Sequence, residues 1–253
     1  MLFYDLTEDE REKLVRKIEE EIQTGIEENN PQKFLHYFSN DDTYIRKVVY
    51  LAIGKLYYSD SSLQNKILKL MHDMFKSQNK HVRQTVVNAL GEIGKKEAEK
   101  VLSIFEKAMV DTDHSVRNAV IGSLKKMGEK NPKPVLSFSQ KFLHHKDPEI
   151  RRQAVHGIEL RGRTHPEDIL PILEQLQYEE NRKVRDTVIH VLGQISYKKG
   201  CLEKTISSLK KWKNKEIVKK AIDEILETHR AYEKFSEKSY TEAKAYIDRN
   251  FSF

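Results

Sequence analysis

Cysteine is nearly absent. Cys201 is the single one in 253 residues, which excludes an intramolecular disulfide framework. Six prolines and ten glycines are too few for a chain of hairpins or disordered linkers and leave a mostly helical protein as the class that fits. No run of about 18 apolar residues is present to span a bilayer. The opening "MLFYDLTEDEREK" turns acidic before a secretory apolar segment of useful length can form. The expectation is a cytoplasmic protein with no targeting segment and no membrane partner. Hydrophobic residues make up 38% of the chain, low for a compact globule of this length, so a shape with much surface per residue is favoured.

Charge, by contrast, is plentiful at 33% of residues, with a net value of +6. It is also uneven. Residues 1–30 hold ten Asp and Glu against four Lys and Arg, or −6, so residues 31–253 carry +12. A body this basic suits an anionic partner without requiring one.

The stretch "KHVRQTVVNALGEIGKK" from Lys80 has a near-copy in "HSVRNAVIGSLKKMGEK" from His114. Aligning on the arginine gives Arg46, Arg83, Arg117, Arg151 and Arg185, with Val218 in the same slot of a sixth copy. An apolar β-branched residue always precedes the slot: Ile45, Val82, Val116, Ile150, Val184, Ile217. Further apolar residues follow three, four and seven positions on, as in Val86, Val87 and Leu90. These spacings trace one face of an α-helix. Four residues before the slot stands Asp or Asn in every copy (Asp42, Asn79, Asp113, Asp147, Asn181, Asn214), the expected N-cap of that helix. Upstream of the caps lie shorter apolar helical patterns such as Ile169, Leu170, Ile172, Leu173 and Leu176, and Pro132 and Pro166 sit where two of these would start. Each unit therefore reads as a first helix, a tight turn and a second helix. A pair of about 34 residues cannot bury both apolar faces alone, so such units stack.

"VRQTVVNALGEIG" resembles the HEAT-repeat family, in particular the short repeats of phycobilin-lyase-type proteins, and the resemblance covers roughly residues 31–230. The expected fold is all-α, a right-handed α-solenoid of about six HEAT-like helix pairs with a capping helix at each end. The expected divisions are an acidic capping helix over 1–30 carrying Leu14, Ile18, Ile22 and Ile26, six repeats over 31–230, and a capping helix and tail over 231–253 with Ala243 and Ile247.

An arginine in the first turn of a helix opposes the helix dipole. The column Arg46, Arg83, Arg117, Arg151, Arg185 is therefore expected to be structural, each guanidinium pairing with a carboxylate of an adjacent repeat, with Asp111, Asp113, Asp147 and Glu179 as candidates. The resemblance implies that second helices line a concave face. Their solvent stripe then offers Lys47, Lys55, Asn88, Asn118, Lys126, Arg152, His156, Asp186 and His190 as a binding groove, with His156 and His190 in the same slot of consecutive repeats. A second basic patch gathers Lys210, Lys211, Trp212 and Lys213, with Trp212 continuing the buried side of a first helix. A protein or acidic peptide is the partner expected, nucleic acid the alternative, and the chain is expected to be a monomer.

No phosphate-loop, dinucleotide, zinc-protease or nucleophile-elbow motif is present. His144, His145 and Asp147 cluster in a turn with no further group at ligand spacing, so neither metal nor cofactor is expected and no catalytic residue is assigned. One enzyme class bears on the chain all the same. "LPILEQLQYEENRKVRDTVIHVLGQI" (170–195) is similar to repeats of the HEAT-like DNA alkylation-repair glycosylases. That resemblance implies duplex DNA held in a basic concave surface and base excision by a carboxylate among aromatic side chains. Asp186, Asp223 and Glu227 are the candidate carboxylates, but the chain's one tryptophan, Trp212, has Glu216 rather than Asp four residues on. A non-catalytic interaction module is the first reading and a glycosylase the second.

Overall fold

Thr7 opens the first helix with a capping box, its side chain accepting from the Glu10 amide while the Glu10 carboxylate accepts from the Thr7 amide. This helix is α1 (Glu8–Glu27) in a computed structural model that describes residues 2–251. Six helix pairs follow: α2 (Leu35–Phe38) with α3 (Thr43–Ser59), α4 (Gln64–Met74) with α5 (Lys80–Glu97), and α6 (Leu102–Ala108) with α7 (His114–Lys130). In the fourth pair α8 (Pro132–Phe142) meets a second helix broken into α9 (Pro148–Gly157) and α10 (Glu159–Gly162). Then come α11 (Pro166–Glu174) with α12 (Arg182–Gln194), α13 (Cys201–Leu209) with α14 (Lys215–Ala231), and the closing α15 (Tyr240–Asn250). No strand occurs among the described residues.

All six expected caps are in place. Asp42, Asn79, Asp113, Asp147, Asn181 and Asn214 each adopt extended backbone and accept a hydrogen bond from an amide in the first turn of the second helix. The apolar phase holds too. The residues seven after the arginine slot, Ile53, Leu90, Leu124, Ile158, Leu192 and Ile225, are all fully buried.

Contacts gather the chain into two compact units that divide between Asn131 and Pro132. In the first, α3, α5 and α7 pack side by side in chain order, and α1 lays Ile18, Ile22 and Ile26 into the core beside α3. Gly54 sets the approach of α3 to α5, since a Cβ there would lie 2.6 Å from the Glu92 Cβ. In the second unit α9, α12 and α14 pack in the same order, and α15 seals the end with Ala243 and Ile247. Each unit is a stack of three helix pairs closed by one further helix, the α-solenoid class expected.

The arginine column makes contacts beyond the carboxylate pairs expected of it. In all five cases a guanidinium nitrogen donates to two successive carbonyls of the arginine's own turn: Asn40 and Asp41, Ser77 and Gln78, Asp111 and Thr112, His145 and Lys146, Glu179 and Glu180. The first-turn position is what lets the side chain reach back over the turn and clamp it. At Arg83 and Arg151 a carboxylate joins in. Arg83 forks onto Asp111 at 2.7 and 2.9 Å, and Arg151 onto Glu179 at 2.8 and 2.7 Å. Both carboxylates lie six residues before the next arginine, a position filled elsewhere by Asn40, Ser77, His145 and Trp212. Arg46 instead reaches the amide of Gln84 at 3.3 Å. Asp113 and Asp147 act as caps, and Asp113 also faces Lys80 at 3.5 Å. The Ser115 hydroxyl and amide, with Lys80, hold the Asp113 carboxyl down to about 2.

Candidate functional site

The stripe of second-helix positions is partly exposed and partly tied down. In the first unit Lys47 is exposed on α3, Leu51 beside it is 43% exposed, and Asn118 and Gly122 are exposed on α7. A Cβ at Gly122 would meet nothing within 4 Å, so the surface there is open. Two expected cations have partners that periodicity alone does not reveal. Lys55 bonds Glu19 of α1 at 3.0 Å, so the acidic first helix neutralises the end of the stripe. Lys126 reaches Glu92 at 3.4 Å and lies over the Tyr50 ring at 5.4 Å. Glu92 is itself buried and also bonded by Lys95. Burial, and then the Glu92 charge, raise the Tyr50 hydroxyl above its ordinary value.

In the second unit Arg152 forks onto Glu149 one turn earlier, at 2.9 and 2.8 Å, and exposed Asp186 faces Arg182 at 3.5 Å. His156 and His190 come together as their shared slot predicts, rings edge to face with centroids 5.7 Å apart. Between them stands a residue the periodic reading missed. Glu159, 1% exposed, places one carboxylate oxygen 3.1 Å from the His156 Nε2 and 3.7 Å from the His190 Nε2. Its other oxygen accepts from Arg163 at 2.6 Å, and Arg163 also donates to Gln194 at 2.7 Å. Glu224 lies 3.5 Å from the His190 Nδ1. Among the described residues, His156, Glu159 and His190 form a group whose potential ligand atoms all lie within 4.8 Å of one another. The available signal was a glutamate three residues after a histidine that recurs in the next repeat. It was hidden because that slot is glycine in three repeats, Gly54, Gly91 and Gly193.

The second basic patch loses its aromatic. Trp212 is fully buried in the core of the second unit, in the turn after α13 rather than on the helix. Lys210, Lys211 and Lys213 are exposed around it, Lys210 bonding Asn250 at 2.7 Å. The turn is pinned from the preceding repeat, where the Gln177 side chain accepts from the Lys213 and Asn214 amides. His145 accepts from the Asp147 amide, so the cluster of His144, His145 and Asp147 serves the turn. No helix among the described residues is long and apolar enough to cross a membrane.

Several solved structures are similar to this chain. One is smu.31 from Streptococcus mutans UA159, 20% identical over 83% of this chain and 96% of that one, with a TM-score of 0.47. AlkD2 from Streptococcus mutans is 19% identical with the same coverages and a TM-score of 0.48. A TOG domain of Crescerin is 16% identical over 87% of this chain and 90% of its own, also at 0.48. No curated protein matches the sequence. The model of the family described as HEAT repeats matches residues 31–125, 74–139 and 135–226, which together span the six caps and the whole arginine column, and the chain belongs to that HEAT-repeat family.

Proposed function

We propose that the chain is a non-catalytic interaction module that holds an acidic protein segment along the exposed faces of its second helices. The observation that carries this reading is the open strip of the first unit. Exposed Leu51, the half-buried amide of Asn88, the exposed amide of Asn118 and the gap over Gly122 lie on α3, α5 and α7, with exposed Lys47 also on α3. Amide side chains can both donate to and accept from an extended backbone, an exposed leucine takes an aliphatic side chain, and a lysine meets a carboxylate. Nucleic acid is less well served. Of the four cations Lys47, Lys55, Lys126 and Arg152, the last three already face Glu19, Glu92 and Glu149.

A base-excision reading requires a groove carboxylate beside exposed aromatic rings. Asp186 lies on the surface facing Arg182, and the one tryptophan is sealed in the core, so neither residue supports it.

Fluorescence anisotropy with a labelled acidic peptide and with duplex DNA, each titrated with salt, tests the assignment. Peptide binding weakened by Lys47→Glu with Asn118→Asp, and unchanged by Lys210→Glu with Lys211→Glu, is the expected result. Tighter binding to DNA with a steep salt slope would replace the peptide by phosphate as the partner. Release of free bases from alkylated duplex, lost in Asp186→Asn, would replace the whole reading by catalysis.

A further inference from the structure

We infer that His156, Glu159 and His190 form a binding site for a divalent transition-metal ion, best suited to zinc, which staples the fourth and fifth helix pairs together. The donor set is two imidazoles and one carboxylate, the ligand types that suit zinc. In a tetrahedral zinc site with bonds near 2.0 Å, ligand atoms stand about 3.3 Å apart. The Glu159 oxygen lies 3.1 and 3.7 Å from the two Nε2 atoms, and all three donors fall within 4.8 Å of one another, so the two imidazole nitrogens must draw in by at most about 1.5 Å for all three to meet one ion. The fourth position opens toward solvent on the side of His190, whose side chain is 43% exposed.

The surroundings fit the same purpose. A carboxylate ligand needs its second oxygen held, and Arg163, itself held by Gln194, does this at 2.6 Å. A histidine ligand is oriented through its other ring nitrogen, and Glu224 stands at the His190 Nδ1. The His156 Nδ1 is buried without a partner, which leaves Nε2 as that ring's one point of attachment. With both rings neutral, Glu159, Glu224 and Arg163 together leave one negative charge in the cluster, and a cation offsets it.

The backbone adds a reason for the ion's position. The second helix of the fourth pair breaks at Ile158, between α9 and α10. The break lies between His156 and Glu159, so an ion held by both would fix the helix on either side of it, and His190 would tie that joint to α12. Structural zinc that clamps a preformed joint stabilises the folded state in proportion to its occupancy.

The full-length protein, stripped with a chelator, is titrated with Zn2+ in competition with a chromophoric chelator, and with Co2+ while visible d–d absorption is followed. One equivalent is expected to bind, with intense absorption of the kind a low-symmetry four-coordinate site gives. His190→Ala, at a partly exposed position that does not threaten the core, and Glu159→Gln are each expected to lower affinity about 100-fold or more. The turn variant His144→Ala with His145→Ala keeps wild-type affinity. At a hundredfold excess of Zn2+ over the dissociation constant the wild type melts about 5–10 °C higher, and His190→Ala does not shift. Failure of the stripped wild type to take up one equivalent at micromolar Zn2+ would overturn the site. Undiminished binding by His190→Ala would overturn it equally.

Discussion

Replacing Arg151 by alanine removes a fork of two charge-assisted hydrogen bonds, at 2.8 and 2.7 Å, from a Glu179 side chain that is 6% exposed. Burial alone would raise the Glu179 carboxyl, but Arg151 and the Asn181 amide together hold it below its ordinary value. Without the fork the carboxylate stays buried, with the Asn181 amide and the nearby Arg185 charge as partial compensation. Breaking a fully buried pair costs about 3–5 kcal/mol; with Arg151 16% exposed and this compensation, the expected loss is about 2–4 kcal/mol. That lowers the melting temperature by about 5–12 °C. The sign with pH follows from the depressed carboxyl. The pair's contribution is full above the unfolded Glu179 value and is lost as pH falls through the folded one, so the variant's deficit is largest near neutrality and shrinks on acidification. Arg151→Lys keeps the charge but not the fork and falls between wild type and alanine. Denaturant unfolding of Arg151→Ala, Glu179→Gln and the double variant gives the coupling, expected at about 1–3 kcal/mol. Arg185→Ala, which removes bonds to two carbonyls at 3.4 and 3.3 Å, should cost less. Equal losses at Arg151 and Arg185, or a coupling below about 0.5 kcal/mol, would refute the fork as the stabilising element and leave the carbonyl clamp in its place.

Two glycines should respond oppositely to alanine. Gly54→Ala forces α3 away from α5 at Glu92 and should destabilise by about 1–3 kcal/mol; Gly122→Ala, in open space within α7, should stabilise by about 0.5–1 kcal/mol. Thermal melts of the pair decide between helix spacing and helix propensity as the role of each. His229 is 1% exposed, and burial depresses its imidazole despite the hydrogen bond to the Ile225 carbonyl. Its contribution is therefore full above the unfolded histidine value near 6.5 and declines as pH falls below it; His229→Gln should flatten that part of the stability profile. Asp113, held at about 2, should remain ionised in a carbon-detected NMR titration down to pH 3, and Ser115→Ala should raise its midpoint.

The caps and the apolar phase were legible because both are local. An Asx residue four before the arginine meets amides two or three residues away, and a period near 3.6 needs no knowledge of neighbours. What the arginines hold was only half legible. Their shared carbonyl partners are local too, five and six residues back, but the dipole rule directs attention to carboxylates and away from turn carbonyls. The forks depend on whether the residue six before the next arginine is acidic, true of Asp111 and Glu179 and untrue of the turn before α5, where Ser77 stands. The site suffered in the same way. Lys55 and Lys126 read as free groove cations until α1 brings up Glu19 and α5 brings up Glu92. Glu159 lies eight after the arginine slot, outside both the apolar face and the solvent stripe read from the periodicity, so neither pattern pointed to it.

The junctions between successive pairs are not equally stiff. Within the first unit the second and third pairs are riveted by the Arg83 fork, while the first and second meet through single bonds such as Thr85 to the Phe38 carbonyl at 3.0 Å, Arg46 to the Gln84 side chain at 3.3 Å and Tyr57 to Glu97 at 2.7 Å. Within the second unit the Arg151 fork rivets the fourth and fifth pairs, and the fifth and sixth are joined by Gln177 and by the half-exposed pair Lys204–Glu167 at 2.9 Å. Charged forks shielded from water yield at short extension and high force, whereas single bonds and solvent-exposed ion pairs give way more gradually. Pulled from its ends, each unit is then a rigid link with one compliant joint, and the pair at the chain-terminal side of each unit is the one that peels first.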